Sequence, residues 1–195
     1  MEIKYKKENS GHENSYEMGN NFQDFVCMEL AKQNVILQNI NSKKFQFETG
    51  ENLQGFEIKL DNVCTGCGTP IKWKSGSARL SIETAEKSDR KNPYFVQSGI
   101  YRGDNSWLYI HGNYDMFWIF SVNMLRLLHK SGRYQEGHES TIQKFYIPIT
   151  QADKFCAKKV VLVEKDYLYR KENAWMPEQW PEVKRRLKEE EEQKE

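Results

Sequence analysis

Between Asn20 and Gln33 the apolar residues fall on one helical face. Phe22, Phe25, Val26 and Leu30 follow i, i+3, i+4, i+8 spacing, which predicts a helix capped by Asn20 or Asn21. Residues 35–40, VILQNI, give a short strand. The period then changes to two. Phe45 and Phe47 alternate, a Gly-Glu-Asn turn follows, and Phe56, Ile58 and Leu60 alternate again. That pattern predicts strand, turn, strand.

Residues 63–77 are rich in Gly, Thr and Ser and read as a loop, and ARLSIETAEK (78–87) reads as another strand. Two apolar runs split by HGNYD at 111–115 predict a hairpin. Ser121 opens a helix through Leu128. KFYIPI (144–149) is a strand, with Pro148 marking an edge or an end. Thr150 and Asp153 give a capping-box start to a helix running to about Lys159. VVLVE closes the core. The chain thus divides into a polar lead-in (1–19), a folded domain (20–165) and a charged extension (166–195). The element order predicts an α/β domain with a central mixed β-sheet flanked by helices.

Composition narrows the class. No apolar run reaches the ~18 residues a membrane span needs, and the polar N-terminus lacks the apolar core of a secretory leader. A cytoplasmic protein is expected. Its cysteines Cys27, Cys64, Cys67 and Cys156 are then expected as thiols. The last eight residues carry −3 against +1 for the whole chain, so residues 1–187 carry +4. This mild basicity is compatible with a nucleic-acid partner and does not by itself indicate one.

The candidate chemistry lies in Glu51-Asn-Leu-Gln-Gly-Phe-Glu57-Ile-Lys59. Alternate strand residues share a face, so Glu57, Lys59 and Asp61 stand opposite Phe56, Ile58 and Leu60. Glu51 sits just ahead, able to converge on the same point. Carboxylates suit a hard cation such as Mg²⁺ or Mn²⁺. A lysine beside them can stabilise charge developing on a phosphate. Glu83, next on the adjoining strand, is a third candidate metal ligand. Lys72, Trp73, Lys74 and Arg79 interleave basic and aromatic residues, as a phosphate-tracking, base-stacking segment would. Cys64-Thr-Gly-Cys67 resembles half a zinc site, but Cys156, His111 or His138 would have to complete it from afar, so two surface thiols are expected. The four histidines, at 12, 111, 129 and 138, show no ligand spacing.

Four segments in order resemble the PD-(D/E)XK, or restriction-endonuclease-like, nuclease superfamily. They are MGNNFQDFVCMEL, GENLQGFEIKLD, RLSIETAEK and FVQSGIYRGDNSWLYIHG. The last is similar to a segment of phage-type members in which a helix runs into the next strand. The resemblance implies a restriction-endonuclease-like core and an Mg²⁺- or Mn²⁺-dependent deoxyribonuclease, an endonuclease rather than an exonuclease. It implies Glu51, Glu57 and Lys59 as the catalytic set and DNA as the partner, and it leaves room for a homodimer. The acid that such domains carry on the first helix falls at Gln23 here, with Asp24 and Glu29 as candidates to replace it. The alternative is an inactive domain of the same fold that binds DNA or a partner protein.

Overall fold

The computed structural model describes residues 13–40, 45–46, 49–65 and 77–163. The expected sites Cys67, Lys72, Trp73 and Lys74, and the extension from 166, lie outside the described residues. The first helix, α1, spans Glu13–Ala31. It starts ahead of Asn20, inside the segment read as a lead-in, and runs through Gly19 into the apolar face.

Among the described residues, eight strands form two sheets. The mixed sheet contains β1 (Phe56–Leu60), β4 (Leu108–Gly112), β5 (Met116–Ser121) and β8 (Lys158–Val161) in the order β1-β4-β5-β8. β1 runs parallel to β4, and the other pairs are antiparallel. The second sheet contains β2 (Arg79–Glu86), β3 (Val96–Gln97), β6 (Glu136–His138) and β7 (Ile142–Pro148) in the order β3-β2-β7-β6, all antiparallel. α2 (Val122–Lys130) and α3 (Ile149–Phe155) follow β5 and β7. The chain is therefore α/β with a mixed sheet, as expected, but a second, antiparallel sheet joins it.

Period-two alternation builds two cores, one on each face of the mixed sheet. Phe56, Ile58, Ile110, Phe117 and Ile119 pack with Phe22, Val26 and Leu30 of α1. Tyr109, Met116, Trp118 and Phe120 point the other way, onto Leu80, Ile82, Phe145 and Ile147 of the second sheet and Leu125 of α2. With both faces covered, the polar side of β1 is roofed over rather than open to solvent.

Several local expectations fail. Residues 35–40 form no strand; a single antiparallel bridge joins Asn39 to Asn52. Phe45, Gln46 and Thr49 are helical, so no strand precedes Glu51 among the described residues; Phe47 lies outside them. β2 pairs with β7 in the other sheet and does not adjoin β1. The segment QSGIY forms one 3₁₀ turn, Gly99–Tyr101, not a helix. α3 ends at Phe155 rather than near Lys159 because the chain enters β8 at Lys158, and Asp153 does not serve the expected capping box. Its carboxylate takes the Trp118 indole N–H at 2.6 Å and the Lys159 ammonium at 3.0 Å, and no side chain caps the helix. The hairpin of β4 and β5 and the helix after Ser121 match expectation.

Candidate active site

The loop ahead of β1 is folded by its own side chains. The Asn52 amide donates to the Phe56 carbonyl at 2.6 Å, and its oxygen accepts the Phe56 N–H at 2.9 Å. The buried amide thus mimics a strand neighbour. Gly55 adopts φ +74°, the left-handed region that glycine enters without a steric cost. Its carbonyl accepts the N–H groups of Trp107 and Leu108. These contacts turn Glu51 back over β1, where its Oε2 accepts the Ile58 N–H at 2.9 Å.

Alternation on β1 then sets Glu57 and Lys59 beside Glu51. Lys59 Nζ lies 2.6 Å from Glu57 Oε1 and 3.3 Å from Glu51 Oε1. The three residues picked from the sequence do converge. Glu57 is nearly sealed, at 1% exposure, while the Lys59 side chain keeps 27%. The expected exposed face of β1 is in fact the interval between the sheets, with a lysine at its edge. Neither Glu57 oxygen makes a geometrically sound hydrogen bond among the described residues. Oε1 has its ion pairs; Oε2 is a buried carboxylate oxygen without a partner.

The electrostatics follow from this crowding. Burial pushes the Glu51 carboxyl above its ordinary value and the Glu57 charge adds to the rise, while Lys59 works against both. Burial alone would make Lys59 less basic. The carboxylates of Glu57, Glu51 and Glu83 outweigh it and hold the ammonium well above the usual lysine range. Lys59 is thus fixed as a cation.

Glu83 stands off from the pair. Its Oε1 accepts the Ser98 hydroxyl, and it acts on Lys59 through its field. No three His, Cys, Asp or Glu side chains are gathered as a metal-holding group among the described residues. Asp24 is exposed and Glu29 pairs with Lys32 at 2.6 Å. Both ride on α1, which packs on the opposite face of the sheet from Glu57. Arg79 lies 3.8 Å over the Tyr146 ring and donates to Gln135 on the antiparallel sheet. Cys64 is not a surface thiol. It is fully buried, and its Sγ donates to the Asp61 carbonyl at 3.2 Å. A thiol behaves as a small apolar group, and this one fills the core beneath β2.

Three residues near the site escaped the sequence reading. Arg102 places Nη1 3.7 Å from Glu57 Oε1 and Nη2 3.8 Å from Glu86 Oε1. Tyr109 is opposite Glu57 in the parallel ladder, with its hydroxyl buried and without a hydrogen bond among the described residues. His111 is opposite Lys59, and its Nε2 lies 3.0 Å from Asp61 Oδ2. Parallel pairing of β1 with β4, invisible to local pattern, is what brings Tyr109 and His111 here.

No protein-family model, curated protein or solved structure matches the chain. No helix among the described residues is long and apolar enough to cross a membrane.

Proposed function

We propose that the chain is a metal-dependent nuclease that hydrolyses phosphodiester bonds of DNA, built on a restriction-endonuclease-like core. The observation that carries this reading is the convergence of Glu51, Glu57 and Lys59, with a buried Glu57 oxygen that has no hydrogen-bond partner among the described residues. Burying a carboxylate without full hydrogen bonding is costly, and such a group calls for a cation.

The residues fit a hard divalent ion. Glu51 and Glu57 supply carboxylate oxygens, and such ions take one or two from the protein with water completing the shell. Mg²⁺ or Mn²⁺ bound there would polarise a scissile phosphate and acidify a water. Lys59, held as a cation at the rim, is suited to stabilising charge that grows on the phosphate as the bond breaks. Glu83 helps to keep Lys59 charged.

The test compares wild type, Lys59→Ala and Glu57→Ala on DNA with Mg²⁺, Mn²⁺ and Ca²⁺. Wild type should cut with Mg²⁺ or Mn²⁺ and bind without cutting in Ca²⁺. Lys59→Ala should lose turnover more than affinity, because Lys59 acts on transition-state charge. Glu57→Ala should lose metal binding and turnover together. Equal cutting by wild type and Lys59→Ala would sink the proposal. The alternative reading is a domain of this fold that binds DNA or a partner protein without cutting. Binding by all three proteins with no cleavage of any substrate would establish that one.

A further inference from the structure

The 3₁₀ turn Gly99–Tyr101 is fixed from three directions. The Ser98 hydroxyl donates to Glu83, the Ile100 carbonyl accepts Arg126 Nε at 2.6 Å, and the Tyr101 hydroxyl meets His129 Nδ1 at 2.8 Å. Gly99 has φ +52°, and any Cβ there would run into the Glu83 carbonyl. A turn held this tightly against β2 delivers the next residue, Arg102, to a defined place. That place is the mouth of the carboxylate cluster.

Arg102 is not used there as a structural arginine would be. Its contacts to Glu57 and Glu86, at 3.7 and 3.8 Å, lie beyond the range of charge-assisted hydrogen bonds. Its side chain makes no hydrogen bond among the described residues and keeps 22% of its surface open. Burial opposes its charge, but Glu57, Glu86, Asp104 and Glu51 all favour it. The guanidinium is thus attracted to the cluster, with both Nη atoms ion-paired at long range and neither hydrogen-bonded among the described residues. The planar fork of a guanidinium matches two oxygens of a phosphate. The unsatisfied Glu57 oxygen lies at the same spot, which marks it as a place for a ligand rather than a finished ion-pair network.

Resting on the nuclease reading, we propose that Arg102 is a catalytic residue that takes a phosphate of the nucleic-acid backbone in a bidentate grip beside Lys59. Glu57 and Glu86 hold the guanidinium near until the phosphate arrives. Lys59 supplies a point charge from the strand. Arg102 supplies directional donors from the turn. Neither can do the other's part.

The experiment uses the full chain and a short DNA duplex. Arg102→Ala and Arg102→Lys are compared with wild type for duplex binding against salt in Ca²⁺, cleavage rate in Mg²⁺, and melting temperature. Arg102→Ala should flatten the slope of log affinity against log salt by about 0.9, the loss of one phosphate contact. It should slow cleavage by roughly 10²–10³-fold, as removal of a transition-state donor does. Arg102→Lys should restore the slope but not the rate, because the charge returns without the fork. A slope and rate unchanged in Arg102→Ala would overturn the inference and leave the nuclease reading intact. So would a lowered melting temperature with no change in slope, which would make Arg102 structural. If wild type binds but never cuts, the nuclease reading falls, while a flattened slope in Arg102→Ala still upholds the phosphate contact. If wild type neither binds nor cuts, both fall.

Discussion

Glu51 accepts the backbone N–H of Ile58 at 2.9 Å, so the first acid of the cluster is hydrogen-bonded between the two residues it must meet. Ile58 lies between Glu57 and Lys59, and its N–H points the way their side chains do not. The bond therefore locks the loop acid to the strand without competing for Lys59. Everything proposed for the site depends on that loop keeping its shape.

Gly55 is where the loop is most vulnerable. Its φ is +74°, and a Cβ there would stand 2.5 Å from the Asn105 carbonyl oxygen, a backbone atom that cannot swing aside. Gly55→Ala should cost about 1–3 kcal/mol, the usual cost of a residue held in an unfavourable backbone region. It should also reduce any cleavage more than that loss implies, because Glu51 shifts with the loop. Chemical denaturation, with rates measured where both proteins are fully folded, checks this.

The convergence of Glu51, Glu57 and Lys59 was legible because its signal is local. Glu57, Lys59 and the apolar residues between them lie within one strand, and Glu51 is a short loop away. Helix α1 and the β4–β5 hairpin were legible for the same reason. What was missed depends on distant pairing. Nothing near Arg79–Glu86 says whether that strand joins β1 or packs across from it; the choice is made by β7, some sixty residues on. The strand expected from Phe45 and Phe47, where Phe45 is helical, shows the converse failure. Two alternating phenylalanines are too few to decide between periods of 2 and 3.6. His111 carried no spacing signal because its partner Asp61 is fifty residues away.

That buried pair governs an acid limit. Burial alone would raise the Asp61 carboxyl. The His111 hydrogen bond and charge, with the N–H groups of Val63 and Ser81, override it and lower it below its ordinary value. A carboxyl depressed in the folded state adds stability above its unfolded value, near 3.9, and that stability is lost as pH falls through the folded value. Asp61→Asn should therefore weaken the protein by about 1.5–3 kcal/mol at neutral pH, the worth of hydrogen bonds to a charged group. The gap between variant and wild type should close as the pH drops below about 4. Urea titrations at several pH values read this directly, and a gap constant down to pH 2 would show that Asp61 does not titrate as argued.

Metal binding has its own signature, separate from cleavage. An ion that binds only the folded state adds about 2.7 kcal/mol when present at a hundredfold over its dissociation constant. Mn²⁺ should raise the melting temperature of wild type. Glu57→Ala should abolish the rise, and Asp24→Ala should leave it unchanged, since Asp24 is exposed on the far helix. A rise of equal size in Glu57→Ala would move the ion elsewhere in the protein.

Tyr109 tests whether the site is held unsatisfied. Its ring is fully buried in the core between the sheets and stacks on His111 with centroids 5.9 Å apart. Burial keeps the phenol well above its usual pKa, and the Glu83, Glu57 and Glu51 carboxylates add to this against the pull of Lys59, so the group stays neutral. Yet its hydroxyl makes no hydrogen bond among the described residues. A buried hydroxyl with no partner costs about 1–3 kcal/mol. Phenylalanine fits the same space without that cost. Tyr109→Phe should therefore raise stability, by about 2–4 °C in melting temperature for each kcal/mol gained at this size. If the hydroxyl waits for a phosphate or a water, the same change should slow cleavage while the protein grows more stable. Opposite movement of stability and rate is characteristic of a group kept for function at the expense of the fold. A loss of stability would mean that the hydroxyl is already satisfied, and Tyr109 would then be core alone.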